Sequence, residues 1–87
     1  MQIFVEATPL RPINNNKKWI ALNYLEPENN IYNIKQIVSN KFNIPIETFY
    51  LIFGGRILDN KLTLKYYNIE SDSTLIFCPR IGAALNL

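Results

Sequence analysis

Apolar residues recur at every second position at the start of the chain, which is the pattern of a half-buried β-strand. The predicted strand covers Met1–Glu6 and places Met1, Ile3 and Val5 on one face. Residues 7–18 contain two prolines and three consecutive asparagines, all of them turn formers. They predict a long hairpin loop.

Four further apolar segments predict the remaining strands. Alternation breaks near Asn23–Tyr24, which indicates a bulge, and Gly54–Gly55 supplies the turn of a hairpin. Residues 63–69 predict a turn of helix and a loop, anchored by Leu64 and Ile69. The predicted strands are Trp19–Leu25, Phe49–Phe53, Arg56–Leu58 and Thr74–Arg80.

One helix is predicted over Asn30–Phe42, because its apolar residues follow one another at steps of three and four. Asn29 or Asn30 supplies the N-cap, and Asn43 supplies a left-handed C-cap shortly before Pro45. The apolar stripe of this helix consists of Ile31, Ile34, Val38 and Phe42.

The order of these elements is a hairpin, one helix and further short strands, which predicts the α+β class. The 87 residues suffice for one small domain with one helix to cover one face of one sheet. We expect residues 1–80 to form this domain and residues 81–87 to form a flexible C-terminal tail.

Composition argues against several kinds of chemistry. The chain has no histidine and a single cysteine, Cys78, so it cannot build a disulfide, a Cys-based zinc site or a Cys–His nucleophile by itself. Its acidic residues are scattered among predicted turns and helix ends, with no pair placed for acid–base catalysis. We therefore expect no enzymatic activity, no cofactor and no metal.

Charge and hydropathy bear on location and partners. A net charge of +2 is too small to indicate nucleic-acid binding, and no apolar run approaches the roughly 18 residues that span a bilayer. A small domain without disulfides suits a reducing compartment. We expect an intracellular protein of the cytoplasm or nucleus that binds neither nucleic acid nor membranes.

Two predicted strands carry apolar residues on both faces. The set expected to meet the helix is Phe49, Leu51, Phe53, Leu75 and Phe77. No second layer is available for the opposite set, which consists of Tyr50, Ile52, Ile76 and Cys78. An apolar surface of this kind, edged by Arg56 and Arg80, is typical of a protein-docking site. Phe4 also points outward and is a candidate for a second, smaller contact.

Two alternatives stay open for this surface. Trp19, Ile20 or the long first loop could fold over it and convert it into ordinary core. Cys78 is interpreted as a small hydrophobe, with a reactive or redox-modified thiol as the alternative.

Motifs along the chain resemble the ubiquitin family. The correspondence runs without a gap from Glu26 to about Ala84. It implies the β-grasp fold, a four- to five-stranded mixed sheet around one helix. The segments that carry it include Met1-Gln2-Ile3-Phe4-Val5, Glu26-Pro27, Ile44-Pro45, Leu51-Ile52-Phe53, Tyr67-Asn68-Ile69 and Ser73-Thr74-Leu75.

The resemblance also implies roles for individual residues. Ile52 and Cys78 match the isoleucine and the valine of the family's recognition patch, and Ile76 replaces its histidine. Leu10 aligns with the apolar residue at the tip of the family's first loop, although the loop here is about eight residues longer. The hydroxyl of Tyr67 is implied to hold the neighbouring loop. The remaining members of the expected partner-binding set are Tyr50, Gly55, Arg56 and Arg80.

Departures from the family bear on covalent conjugation. The positions of the two lysines best known for chain building carry Arg56 and Ser71, which have no nucleophilic amine. Ala83 and Ala84 replace the terminal Gly-Gly, and a Cβ there would collide in the narrow channels of the family's enzymes. Lys35 and Lys41 match helix lysines of the family and are interpreted as solvated or snorkelling.

The sequence therefore predicts a monomeric, ubiquitin-like interaction module. Its expected partners are ubiquitin-binding domains, proteasomal receptors or enzymes of ubiquitin conjugation and deconjugation, bound non-covalently through the apolar surface. The alternative is a covalent modifier that is conjugated through Ala83 or Ala84 after trimming.

Overall fold

The computed structural model describes residues 1–7 and 18–80. Within these ranges the elements in chain order are β1 Ile3–Ala7, β2 Lys18–Leu22, α1 Ile31–Phe42, a 3₁₀ helix Ile46–Thr48, β3 Phe49–Phe53, β4 Arg56–Ile57 and β5 Thr74–Pro79. Leu10, Ala83 and Ala84 lie outside the described residues, as do residues 81–87, for which a tail is predicted.

The five described strands form one mixed sheet in the order β2-β1-β5-β3-β4. β1 pairs antiparallel with β2 and parallel with β5, while β3 pairs antiparallel with both β4 and β5. The expected α+β class and the β-grasp arrangement are confirmed, with five strands and one α-helix in the part of the chain that the structure describes.

The core lies between α1 and the helix-facing side of the sheet. Ile31, Ile34 and Val38 of α1 are buried, and Phe42 packs against the core from the end of the helix. Phe77 contacts both Phe49 and Phe42, with ring centroids 4.8 and 5.2 Å apart respectively. The side chains that complete the core are Ile3, Val5, Leu22, Leu25, Leu51, Leu58, Leu64, Tyr67, Ile69 and Leu75.

Asparagine residues cap α1 at both ends, as the sequence predicts. The Asn30 side chain accepts a hydrogen bond from the Asn33 N–H, and the Asn33 side chain accepts one from the Asn30 N–H. These reciprocal bonds satisfy donors that a helix start leaves without partners. Asn43 ends the helix in the left-handed conformation, with φ of 57°.

The strand predicted over Trp19–Leu25 is wrong at its end, because β2 stops at Leu22. The register that pairs Ile3 with Leu22 would bring Met1 opposite Tyr24. The Met1 amino group and the Met1 carbonyl instead bond to Leu25, at 2.8 and 3.1 Å. Two residues, Asn23 and Tyr24, thus lie between the pairs where β1 has only Gln2. Tyr24, with φ of 62°, is the extra residue, and the predicted bulge lies here.

The hairpin between β3 and β4 turns on Gly54 and Gly55, whose φ angles are 60° and 77°. Two consecutive positive φ values are the signature of the tight turn that matches strand twist, and glycine adopts them without steric cost. The turn pairs Phe53 with Arg56 and Ile52 with Ile57. β4 and β5 each end one residue earlier than predicted.

The segment between β4 and β5 is held by buried anchors and one side-chain hydrogen bond. Leu64 and Ile69 are buried as predicted. The Asp59 N–H donates to the Tyr67 hydroxyl at 2.8 Å, so Tyr67 does hold the neighbouring loop. The Arg56 guanidinium lies over the Tyr67 ring, 5.1 Å from its centroid.

Replacing the helix cap tests whether the reciprocal bonds stabilise the fold. Asn30→Ala removes the side-chain oxygen that accepts from the Asn33 N–H, and we expect the free energy of unfolding to fall by about 1 kcal/mol. Asn40→Ala, at an exposed position in the last turn of α1, is the matched control and should leave the free energy of unfolding unchanged or raise it slightly. Urea denaturation of the three proteins measures the effect, and equal stability of all three would contradict it.

Candidate functional site

The face of the sheet turned away from α1 carries a row of side chains that crosses all five described strands. The strand registers pair Trp19 with Glu6, Glu6 with Ile76, Ile76 with Ile52 and Ile52 with Ile57. Residues directly opposite each other on neighbouring strands point to the same face. We call this face the outer face.

Three isoleucines of this row lie side by side on β5, β3 and β4. Ile57 is 63% exposed and Ile76 is 38% exposed, whereas Ile52 between them is half-buried. Strand spacing of about 4.8 Å makes the group roughly 10 Å wide. We call Ile52, Ile57 and Ile76 the isoleucine cluster.

Tyr50 and Cys78 lie opposite each other in the next row of the outer face, and both are half-buried. A hydrogen bond with the Cys78 side chain is the main cause that raises the pKa of Tyr50, and the electrostatic interaction with Cys78 and burial act in the same direction. The positive charge of Arg80, which follows β5 directly, acts in the opposite direction on that pKa. The outer face is thus apolar along the isoleucine cluster and more polar toward Arg80.

The two remaining described members of the expected binding set flank the outer face. Gly55 is exposed in the hairpin turn. Arg56 lies opposite Phe53, on the side of the sheet that does not carry Ile52, and its guanidinium rests on Tyr67. Arg56 therefore stands beside the cluster at the hairpin and does not line it.

Phe4 lies on the outer face as predicted, opposite Ala21 on β2 and Thr74 on β5. It is half-buried, and its neighbours in that row are small or polar. Phe4 is separate from the isoleucine cluster.

Neither Trp19 nor Ile20 buries the isoleucine cluster. Ile20 packs against the core on the helix-facing side. Trp19 is 55% exposed, and β1 lies between its strand and that of Ile76. The remaining part of that alternative, the first loop, falls on residues 8–17 outside the described ranges.

Ile57 is the exposed member of the cluster that the sequence analysis did not single out. The signal was available, because a two-residue glycine turn pairs Ile52 with Ile57 and leaves them on one face. Alternation with the buried Leu58 gives the same answer, since successive residues of a strand point to opposite faces.

The interpretation of Lys35 as a solvated or snorkelling helix lysine is wrong, since only 3% of the residue is exposed. Its ammonium nitrogen lies 5.3 Å from the centroid of the Phe49 ring. Burial lowers the pKa of Lys35, and Arg80 lowers it further, while Glu47 acts in the opposite direction. Lys35 is therefore on the side of α1 that faces Phe49 at the start of β3. Lys41, by contrast, is exposed.

The described residues offer no group of three or more His, Cys, Asp or Glu side chains that could hold a metal ion. Among the described helices, none has the length and apolar character needed to cross a membrane. The outer face carries exposed apolar side chains and is suited to contact with another macromolecule.

Comparison with known proteins agrees with this geometry. The ubiquitin family model matches residues 13–78, which is most of the chain and includes every member of the isoleucine cluster. The chain belongs to the ubiquitin family. Members of this family are typically modules without catalytic activity of their own.

The buried lysine of this ubiquitin-family domain predicts a pH effect on stability. The pKa of Lys35 lies below its ordinary value of 10.5 in the folded chain, so between the two values the unfolded chain binds more protons. Stability due to this group therefore rises with pH over that window. Lys35→Met, which removes the titration, should lose stability relative to the parent protein as pH increases toward 10.5.

Urea denaturation from pH 7 to pH 10.5 measures this difference, and taking it between two proteins cancels the titration of the tyrosines. Lys41→Met is the matched control, because Lys41 is an exposed lysine of the same helix. A stability difference that is flat with pH for Lys35→Met, or equal for both variants, would contradict the prediction.

Proposed function

We propose that this ubiquitin-family domain is a non-covalent protein-interaction module and that its outer face is the docking surface. The observation that carries the proposal is the isoleucine cluster, three isoleucines in line on three neighbouring strands. α1 packs on the opposite side of the sheet and leaves Ile57 and Ile76 exposed.

Burial of this cluster by a partner supplies the driving force. Fully burying a fully exposed isoleucine side chain contributes about 1.5 to 3 kcal/mol, and Ile57 at 63% and Ile76 at 38% exposure can each gain a part of that. A surface of this width belongs to interfaces of less than roughly 1,200 Å². Such contacts are transient, so the domain binds modestly unless a second site adds avidity.

The positive charges near the isoleucine cluster favour partners with acidic residues. Both arginines are exposed near the cluster: Arg80 directly after β5, and Arg56 at the hairpin, with its guanidinium over Tyr67. A partner with an apolar stripe and acidic flanks complements this arrangement. The proposed partners are helical ubiquitin-binding domains, proteasomal receptors or conjugation and deconjugation enzymes. The proposal further expects a monomer that acts in the cytoplasm or nucleus.

Substitution of the exposed isoleucines tests the proposal. Threonine keeps the β-branched shape but adds a hydroxyl, so Ile57→Thr and Ile76→Thr should each weaken binding about fivefold. Their melting temperatures should stay within a few degrees of the parent, since both positions are exposed. The measurement is calorimetric titration with a helical ubiquitin-interacting module.

Tyr32→Gln is the matched control, because Tyr32 is a large exposed side chain on α1, away from the outer face. It should leave the affinity unchanged. Equal affinity of the parent and the Ile57→Thr/Ile76→Thr double variant would overturn the proposal, as would no binding by the parent to any module of this class.

The covalent alternative depends on Ala83 and Ala84, which lie outside the described residues. Incubation with ubiquitin-activating enzyme and ATP separates it from the proposal. The proposal expects no thiol-reducible adduct under conditions that charge ubiquitin. An adduct that dithiothreitol releases would favour the covalent modifier.

A further inference from the structure

Lys35 is a buried cation that no described side chain contacts as a counter-ion. Nearly all of the residue is buried, and its ammonium nitrogen lies 5.3 Å from the centroid of the Phe49 ring. Among the described residues it has neither a hydrogen bond nor an ion pair, and the Glu47 carboxylate raises its pKa only from a longer distance. Buried charges in proteins are normally paired, because desolvation destabilises an isolated one.

A second cation, Arg80, lies at the same corner of the domain. Phe49 at the start of β3 pairs with Pro79 at the end of β5, and Arg80 is the next residue. Its N–H donates to the Thr48 carbonyl at 2.9 Å, which holds its backbone beside β3. The positive charge of Arg80 lowers the pKa of Lys35, as a like charge on this corner does.

Both cationic groups can be reached by a small ligand. Every fully buried side-chain nitrogen and oxygen of the described residues has a hydrogen-bond partner. The Lys35 nitrogen has no such partner among them, so it is not one of the fully buried atoms and keeps a small accessible area. Arg80 is exposed. A ligand of few atoms suits this corner, because most of the Lys35 side chain is covered.

The charges of the corner specify an anion. Lys35 and Arg80 are positive and Glu47 is negative, so the three groups together keep a net positive charge. A guanidinium presents N–H donors in a planar fork that matches two oxygens of one carboxylate or phosphate, and an ammonium adds a compact point charge. An oxyanion uses both geometries at once.

We propose that Lys35 and Arg80 together bind one small oxyanion, a phosphate or a carboxylate, where α1 faces the start of β3. We call these two residues the oxyanion site. The bound oxyanion supplies the charge that the desolvated Lys35 needs, so it stabilises the folded chain. Lys35 lies on the helix-facing side of the sheet, and the oxyanion site is therefore distinct from the isoleucine cluster.

Sodium phosphate at constant ionic strength is the first probe. NMR titration of the labelled protein should give saturable shifts of the Lys35 side-chain methylene next to the nitrogen, the Phe49 ring and the Arg80 side-chain N–H. Lys35→Met and Arg80→Gln should each weaken binding about fivefold. Lys41→Met and Arg56→Gln, the same exchanges at exposed positions outside the oxyanion site, should not.

The melting temperature gives a second readout that does not depend on the shifts. Phosphate should raise the melting temperature of the parent and of Lys41→Met more than that of Lys35→Met, because a ligand of the folded chain stabilises it. Ile76→Thr should leave phosphate binding unchanged.

The amide of N-acetylglutamate, which carries a single carboxylate, separates the two sources of oxyanion. Tighter binding of phosphate would assign the site to a free phosphate, and tighter binding of the glutamate derivative would assign it to an acidic side chain of a protein. Equal shifts with sodium chloride would overturn the proposal. Loss of binding in Arg80→Gln alone would also overturn it, since an ordinary surface arginine would then suffice.

Discussion

The structure depends on one packing constraint, that a single helix covers only one face of a five-stranded sheet. α1 buries Ile31, Ile34 and Val38 against the alternate residues of the strands, and this contact closes the core. The strands, however, carry apolar residues at consecutive positions. The surplus apolar side chains have to stand on the other face, and the isoleucine cluster is the result.

Close packing on the helix-facing side of the sheet also buries a lysine. Phe49, Phe77 and Phe42 stack against one another where α1 ends over β3 and β5. Lys35 lies beside these rings and is almost fully buried, so its ammonium group stays near the Phe49 ring and is not fully hydrated. A lysine held there costs stability at neutral pH, because its charged form is desolvated. The packing of α1 on the sheet therefore buries an ionisable side chain, Lys35, at the edge of the core.

The outer face and the proposed oxyanion site belong to the same sheet but offer different chemistry. The face presents apolar side chains and suits the apolar stripe of a folded helix. The oxyanion site presents two positive charges beside α1 and suits a ligand of few atoms. Arg80 follows β5 directly, and its charge acts both on Tyr50 of the outer face and on Lys35.

Much of this fold was determined by the sequence itself. Period-two alternation fixed the faces of β3 and β5, the asparagines fixed the ends of α1, and Gly54–Gly55 fixed the hairpin register. These features are local, because each depends on residues within one turn or one strand. The position of Ile57 was also readable by this route. Tertiary structure alone decided the rest. The burial of Lys35 depends on how closely α1 approaches β3, and its distance from Arg80 depends on the pairing of β5 with β3. Both are distances between elements far apart in the chain, and no pattern of neighbouring residues encodes them.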